Sequence, residues 1–132
     1  MVISDATNVT TTPRRSPKQV QVLLCGCGNA VHTLLAYMAQ QFSSEYDFKI
    51  NVLSTHADNL IESLPEDGRI KCISDEGTVM FGKANVISSD AAKVDVPGCS
   101  VILFALPTNR HEVYLKSMKP YIQEGTMIGS MH

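Results

Sequence analysis

The segment Val22–Gln41, VLLCGCGNAVHTLLAYMAQQ, constrains the fold more than any other. An apolar run reaches Cys25 without interruption, breaks at Gly26 and Gly28, and passes at once into helix-forming residues. A half-exposed strand would alternate. A continuous run instead suits a parallel strand buried on both faces. Beyond the glycines, Val31, Leu34, Leu35, Met38 and Phe42 recur at helical spacing and mark the inner face of an amphipathic helix. A strand, a glycine turn and a helix in that order open a dinucleotide-binding βαβ unit. The first glycine permits the tight turn. The second lacks a Cβ, so a pyrophosphate can approach the backbone, and the helix N-terminus adds free N–H groups and a positive dipole end. Val31 replaces the third small residue of that fingerprint and implies a helix set slightly further from the sheet.

The rest of the chain continues the alternation. Phe48–Ser54 reads as a second strand, and His56–Leu64 as a short helix closed by Pro65 and Gly68. RIKCIS, TVMFG and KANVIS are short β-like runs separated by Asp75–Gly77 and Gly82. They predict a small antiparallel insertion around residues 69–88 with a hairpin at Asp75–Gly77. DAAKVDVPG reads as a short helix or turn. Ser100–Pro107, SVILFALP, is the most apolar strand. RHEVYLKSMKPYI follows as a helix whose apolar positions are Val113, Leu115, Met118 and Ile122, and GTMIGSM is a last strand. The expected fold is α/β: a Rossmann-like, mainly parallel sheet flanked by helices.

At 132 residues, 44% apolar and 18% charged, the chain has the size and composition of one globular domain. Residues 1–18 hold no apolar core of a secretory signal and read as a disordered lead-in, leaving 19–132 as the domain. The net charge of −2 and the isolated basic cluster PRRSPK give no footprint for nucleic acid. The apolar runs fall far short of a membrane span. Cys25, Cys27, Cys72 and Cys99 form no CxxC pair and no zinc-type spacing, so they are expected to be reduced thiols of a cytoplasmic protein, with no metal site.

Two further positions bear on a nucleotide. The end of the second strand normally carries an acid that holds the adenosine ribose. Here NVLSTHAD offers Ser54, Thr55 and His56, and Asp58 comes too late. No carboxylate is left to repel a 2′-phosphate, and no arginine stands beside them in the sequence, so NAD and NADP both remain open. In an open α/β sheet, ligands bind outside the carboxyl ends of the strands. Pro107 halts the apolar strand there, and Asn109, Arg110 and His111 follow. Arg110 suits a carboxylate or phosphate and His111 a hydrogen bond or proton; both also suit a solvated first helical turn.

With these motifs in view, the chain resembles the octopine/opine dehydrogenases. Asn29 and His32 stand where that family's glycine turn carries Asn and His. Pro107, His111, Glu112 and Tyr121 match its apolar strand, proline and His-Glu segment. The likeness runs from about Val20 to Gly129. It implies a reductase that condenses an amino acid with a 2-oxo acid, using NAD or NADP on an N-terminal Rossmann domain. It also implies that the catalytic groups lie in a helical C-terminal domain, so none is expected in this chain, which reads as truncated before that domain and able to bind cofactor without turnover. The expected cofactor contacts are Gly26, Cys27, Gly28, Asn29, Ala30, Ser54, Thr55, Leu106 and Pro107, with His32, Arg110 and His111 on the nicotinamide or substrate side. An exposed apolar face is expected where the second domain would dock. A glycerol-3-phosphate dehydrogenase-like reductase domain and a stand-alone nucleotide-binding module are the alternatives.

Overall fold

The computed structural model describes residues 18–41 and 45–131. The expected lead-in, apart from Lys18, and the helical position Phe42 lie outside them. Five strands form one parallel sheet: β1 (Lys18–Cys25), β2 (Tyr46–Leu53), β5 (Val86–Ser88), β6 (Val101–Phe104) and β7 (Met127–Ser130), in the order β5-β2-β1-β6-β7. The helices are α1 (Asn29–Gln41), α2 (Ala57–Ser63) and α3 (His111–Met118). Strands β3 (Arg69–Ile73) and β4 (Val79–Lys83) form a separate antiparallel hairpin. This is a Rossmann-type α/β fold with a small β insertion.

β1 sits at the centre, paired with β2 on one side and β6 on the other. Val22, Leu23, Leu24 and Cys25 are all buried. Successive side chains of a strand point to opposite faces, so a strand covered on both sides needs no polar alternation. Val22 and Leu24 pack with Val31, Leu35, Ile50, Val52, Leu60 and Ile70 on the face covered by α1 and α2. Leu23 and Cys25 pack on the other face with Val94, Val96, Ile102, Phe104, Tyr114 and Met118. Val31, the bulky residue of the glycine turn, is fully enclosed.

The insertion is shorter than the sequence suggests. Arg69–Ile73 and Val79–Lys83 make the expected hairpin, but Val86–Ser88 turns back to pair in parallel with Asn51–Leu53 at the edge of the main sheet. A three-residue edge strand carries too little pattern to declare its partner. The apolar face of α3 also differs from expectation. Tyr114 and Met118 are buried, whereas Val113 is 54% and Leu115 38% exposed. The helix is only eight residues long, so a single pair four residues apart fills its inner face. The DAAKVDVPG segment is two 3-10 turns, Ala91–Lys93 and Val96–Gly98. They are tied to the sheet by Asn51, a buried side chain that donates from Nδ2 to the Val94 carbonyl at 2.7 Å and accepts from Asn85 at 3.1 Å.

The hairpin lies on α1, backbone against backbone. A Cβ at Gly82 would overlap the Leu35 carbonyl and stand 2.6 Å from the Ala36 nitrogen. The glycine is therefore a packing requirement of strand on helix. Gly82→Ala is expected to cost about 1–3 kcal/mol of stability, the usual penalty of overpacking. Urea denaturation measures it, and an unchanged midpoint would show that the hairpin does not rest on the helix as described.

Candidate functional site

The chain builds β1, β2 and β5 in one direction across the sheet, then returns to add β6 and β7 on the other side. That reversal lies between β1 and β6, and a crevice opens at such a point beyond the strand ends. A cavity of about 180 Å3 occupies it. Its walls are Gly26, Cys27 and Gly28 after β1, Thr55 and His56 after β2, Ala105, Leu106, Pro107 and Arg110 after β6, and Tyr114 from α3.

Gly26 is fixed by its neighbours. Its φ is +129°, and a Cβ there would stand 2.8 Å from the Ala105 carbonyl oxygen. Only glycine fits a left-handed backbone this close to another chain segment. Gly28 is different. It has an ordinary φ, and an added Cβ would meet nothing within 4 Å. Its carbonyl accepts the first bonds of α1, from Val31 at 3.1 Å and His32 at 3.2 Å. Helix α1 has no acidic residue in its first turn, whereas α2 has Asp58 and α3 has Glu112. An acid there would stabilise the bare helix end but repel an anion.

The turn after β2 is held from three sides. The Ser54 hydroxyl, itself buried, accepts from the His56 amide at 3.0 Å. The Thr55 amide donates to the Tyr114 hydroxyl at 3.1 Å. Arg110 donates from Nη2 to Thr55 Oγ1 at 3.3 Å. An arginine does stand beside the residues that follow β2, 55 positions away in sequence.

The sequence-proposed residues separate into two groups. Gly26, Cys27, Gly28, Thr55, Leu106, Pro107 and Arg110 line one cavity. Asn29 and Ala30 are exposed at the start of α1, and Ser54 lies beneath the surface with its hydroxyl engaged. His111 turns back on its own loop: its ring stacks on Phe104 at 4.7 Å, and Nε2 lies 3.1 Å from the Leu106 carbonyl. His32 lies on the side of α1 that meets the hairpin, where the Cys72 thiol donates to the His32 carbonyl at 3.6 Å. Its Nε2 is buried with no hydrogen-bond partner. Neither histidine lines the cavity. His56, which the sequence places after the second strand, does, as do Tyr114 and Ala105, which the sequence did not single out. For Tyr114 the available signal was its spacing to Met118, which puts its hydroxyl at the strand ends.

The four cysteines are free. Burial, and the nearby Cys99, push the Cys25 thiol up to about 12. Burial also raises Cys99. Both belong to the core beneath β1, and only Cys27 faces the cavity. Among the described residues, no helix is long and apolar enough to cross a membrane.

No protein-family model matches the chain. It is 34% identical over 123 residues to opine dehydrogenase from Haliotis discus hannai, covering 86% of this chain and 29% of that one. Octopine dehydrogenase from Pecten maximus is 26% identical over 112 residues, covering 83% and 28%. Among solved structures, octopine dehydrogenase with NADH and L-arginine superposes with a TM-score of 0.72 and 26% identity, covering 84% of this chain and 28% of that one. A 2-dehydropantoate 2-reductase from Porphyromonas gingivalis superposes at 0.63 with 16% identity, covering 84% and 37%, a likeness of fold alone. The chain thus spans 28% to 29% of the length of the curated relatives it matches.

Two outcomes follow from this geometry. Tyr114→Phe removes the acceptor for the Thr55 amide and is expected to cost about 1–2 kcal/mol. Faster hydrogen exchange at Thr55 would report it, and unchanged protection would refute the tie. For Cys25, the folded value lies above the ordinary 9.0. The unfolded chain therefore loses this proton first, and the thiol's contribution is intact below pH 9 and lost as pH rises toward 12. Cys25→Ala should flatten the alkaline fall of stability in urea titrations at fixed pH; an identical pH profile would contradict the burial of this thiol.

Proposed function

We propose, for a chain that matches the N-terminal Rossmann-type segment of the opine dehydrogenases, that it binds a nicotinamide dinucleotide, NAD or NADP, across the ends of β1, β2 and β6. The dinucleotide serves the reductive condensation of an amino acid with a 2-oxo acid. When bound, it supplies the hydride that reduces the imine formed between the two substrates. The chain's own residues bind and orient it.

Gly28 carries the reading. Its open side leaves room for a pyrophosphate against the backbone, and the acid-free start of α1 offers unpaired N–H groups to it. Gly26 keeps the turn tight enough to aim them. Thr55 and His56 line the ribose end, while Leu106 and Pro107 supply an apolar wall from β6. The assignment gives these 132 residues cofactor binding rather than turnover. The exposed apolar positions of the β7 edge, Met127, Ile128 and Met131, are the face we assign to packing of a second domain. A cytoplasmic setting accords with four free thiols.

Fluorescence titration with NADH and NADPH tests the reading, the folded state being checked by circular dichroism. Saturable binding of at least one is expected. Gly28→Ala should weaken it about tenfold or more, while stability falls by only about 1 kcal/mol, because the new methyl group meets no protein atom and only the cap preference is lost. A folded chain that binds neither dinucleotide sinks the proposal.

A further inference from the structure

Resting on that reading, we infer that Arg110 makes this site selective for a 2′-phosphorylated dinucleotide, so that NADPH is bound in preference to NADH. The inference concerns the ribose end of the cavity, where three observations meet.

The first is the lack of a carboxylate. A nucleotide whose ribose 2′-hydroxyl is free is normally held by an acid at the end of the second strand, and that acid rejects a phosphate at the same place. Ser54, Thr55 and His56 occupy those positions. Asp58, the nearest acid along the chain, lies in the first turn of α2 and does not line the cavity. The second is the position of Arg110. It comes from the loop after β6, reaches across the crevice and donates from Nη2 to Thr55 Oγ1 at 3.3 Å. Its guanidinium thereby stands over the β2 turn, with further N–H donors to offer. The third is its company. Among the described residues Arg110 forms no ion pair, whereas Arg69 is paired with Asp67 and Lys116 with Glu112. Glu112, the acid nearest Arg110 in sequence, is thus turned to Lys116 along the helix.

A planar, permanently charged fork suits a dianionic phosphate and gains little from a neutral hydroxyl. The Thr55 hydroxyl and amide flank it, and Tyr114 holds that amide in place. The 2′-phosphate would thus find a cation and hydroxyl donors with no acid on the cavity wall. Pro107 begins the loop, and Arg110 closes its 3-10 turn by donating its backbone N–H to the Pro107 carbonyl at 2.9 Å.

Parallel titrations of the 132-residue protein with NADPH, NADH, 2′,5′-ADP and 5′-ADP test this, read by fluorescence or calorimetry. NADPH is expected to bind at least about tenfold more tightly than NADH, and 2′,5′-ADP more tightly than 5′-ADP, with preferences that shrink as salt rises. Arg110→Ala should lower the NADPH-to-NADH affinity ratio about tenfold or more, and Arg110→Lys should restore part of it. Thr55→Asp should reverse the ratio in favour of NADH. Equal binding of the two dinucleotides, or an Arg110→Ala loss that is the same for both, overturns the inference and leaves dinucleotide binding standing. Failure of all four ligands to bind removes the underlying reading instead.

Discussion

β1 must be buried on both faces and paired on both edges, and the rest of the structure follows from that demand. Its four innermost residues give up water entirely, two to each side of the sheet. At about 25 cal/mol per Å2 of apolar surface, each such side chain contributes roughly 1.5–3 kcal/mol relative to exposure. This holds only if helices lie above and below and strands lie left and right. Parallel neighbours need crossovers, so the chain must leave the sheet after each strand. The crossovers supply the covering layers: α1 and α2 on one face, α3 and the two 3-10 turns on the other. The crevice at the strand ends is a by-product of the same topology, because the chain reverses its direction of travel next to β1.

Elements with a strong, long pattern were legible in the sequence. β1 and α1 carry continuous burial and helical periodicity, and both appear where the spacing of Val22–Met38 places them. The hairpin was legible because Asp75–Gly77 announces a turn. What failed were short elements. Val86–Ser88 offers three residues, which fit an antiparallel insertion or a parallel edge equally well, and the choice is made by Asn51–Leu53 on a strand far back in the chain. In α3, Val113 and Leu115 look like core by hydrophobicity, yet the larger Tyr114 takes the inward position, since its ring joins the same buried cluster as Phe104 and Met118 while its hydroxyl accepts from the Thr55 amide. Side-chain partnership decided between two apolar faces.

The candidate site shows the same division. The glycine turn is local and readable as a string. The cavity wall after β2 is assembled from Thr55, Arg110 and Tyr114, which only the parallel sheet brings together. From sequence, Thr55 has no arginine neighbour, and Arg110 is one of several polar residues in a loop. The two histidines stand outside the cavity lining for the converse reason. They are prominent as letters, but His111 is held by Phe104 and Leu106, and the backbone carbonyl of His32 meets Cys72 of the hairpin.

Three glycines then separate what the chain needs for itself from what it offers outward. Gly82 is dictated by the backbone of α1 and Gly26 by the carbonyl of Ala105. Gly28 has no such reason. It precedes a helix whose first turn has no acid, at a position where Ser, Asp or Asn would cap the helix better than glycine by a few tenths of a kcal/mol or more. The chain forgoes that stabilisation and leaves open space beside Gly28, at the start of the longest helix among the described residues. The other two helices, which begin beside the same crevice, carry an acid in their first turns. Under the proposed dinucleotide reading, the missing side chain leaves room for an anion against the backbone at Gly28, while Val31, on the buried face of the helix, serves the core.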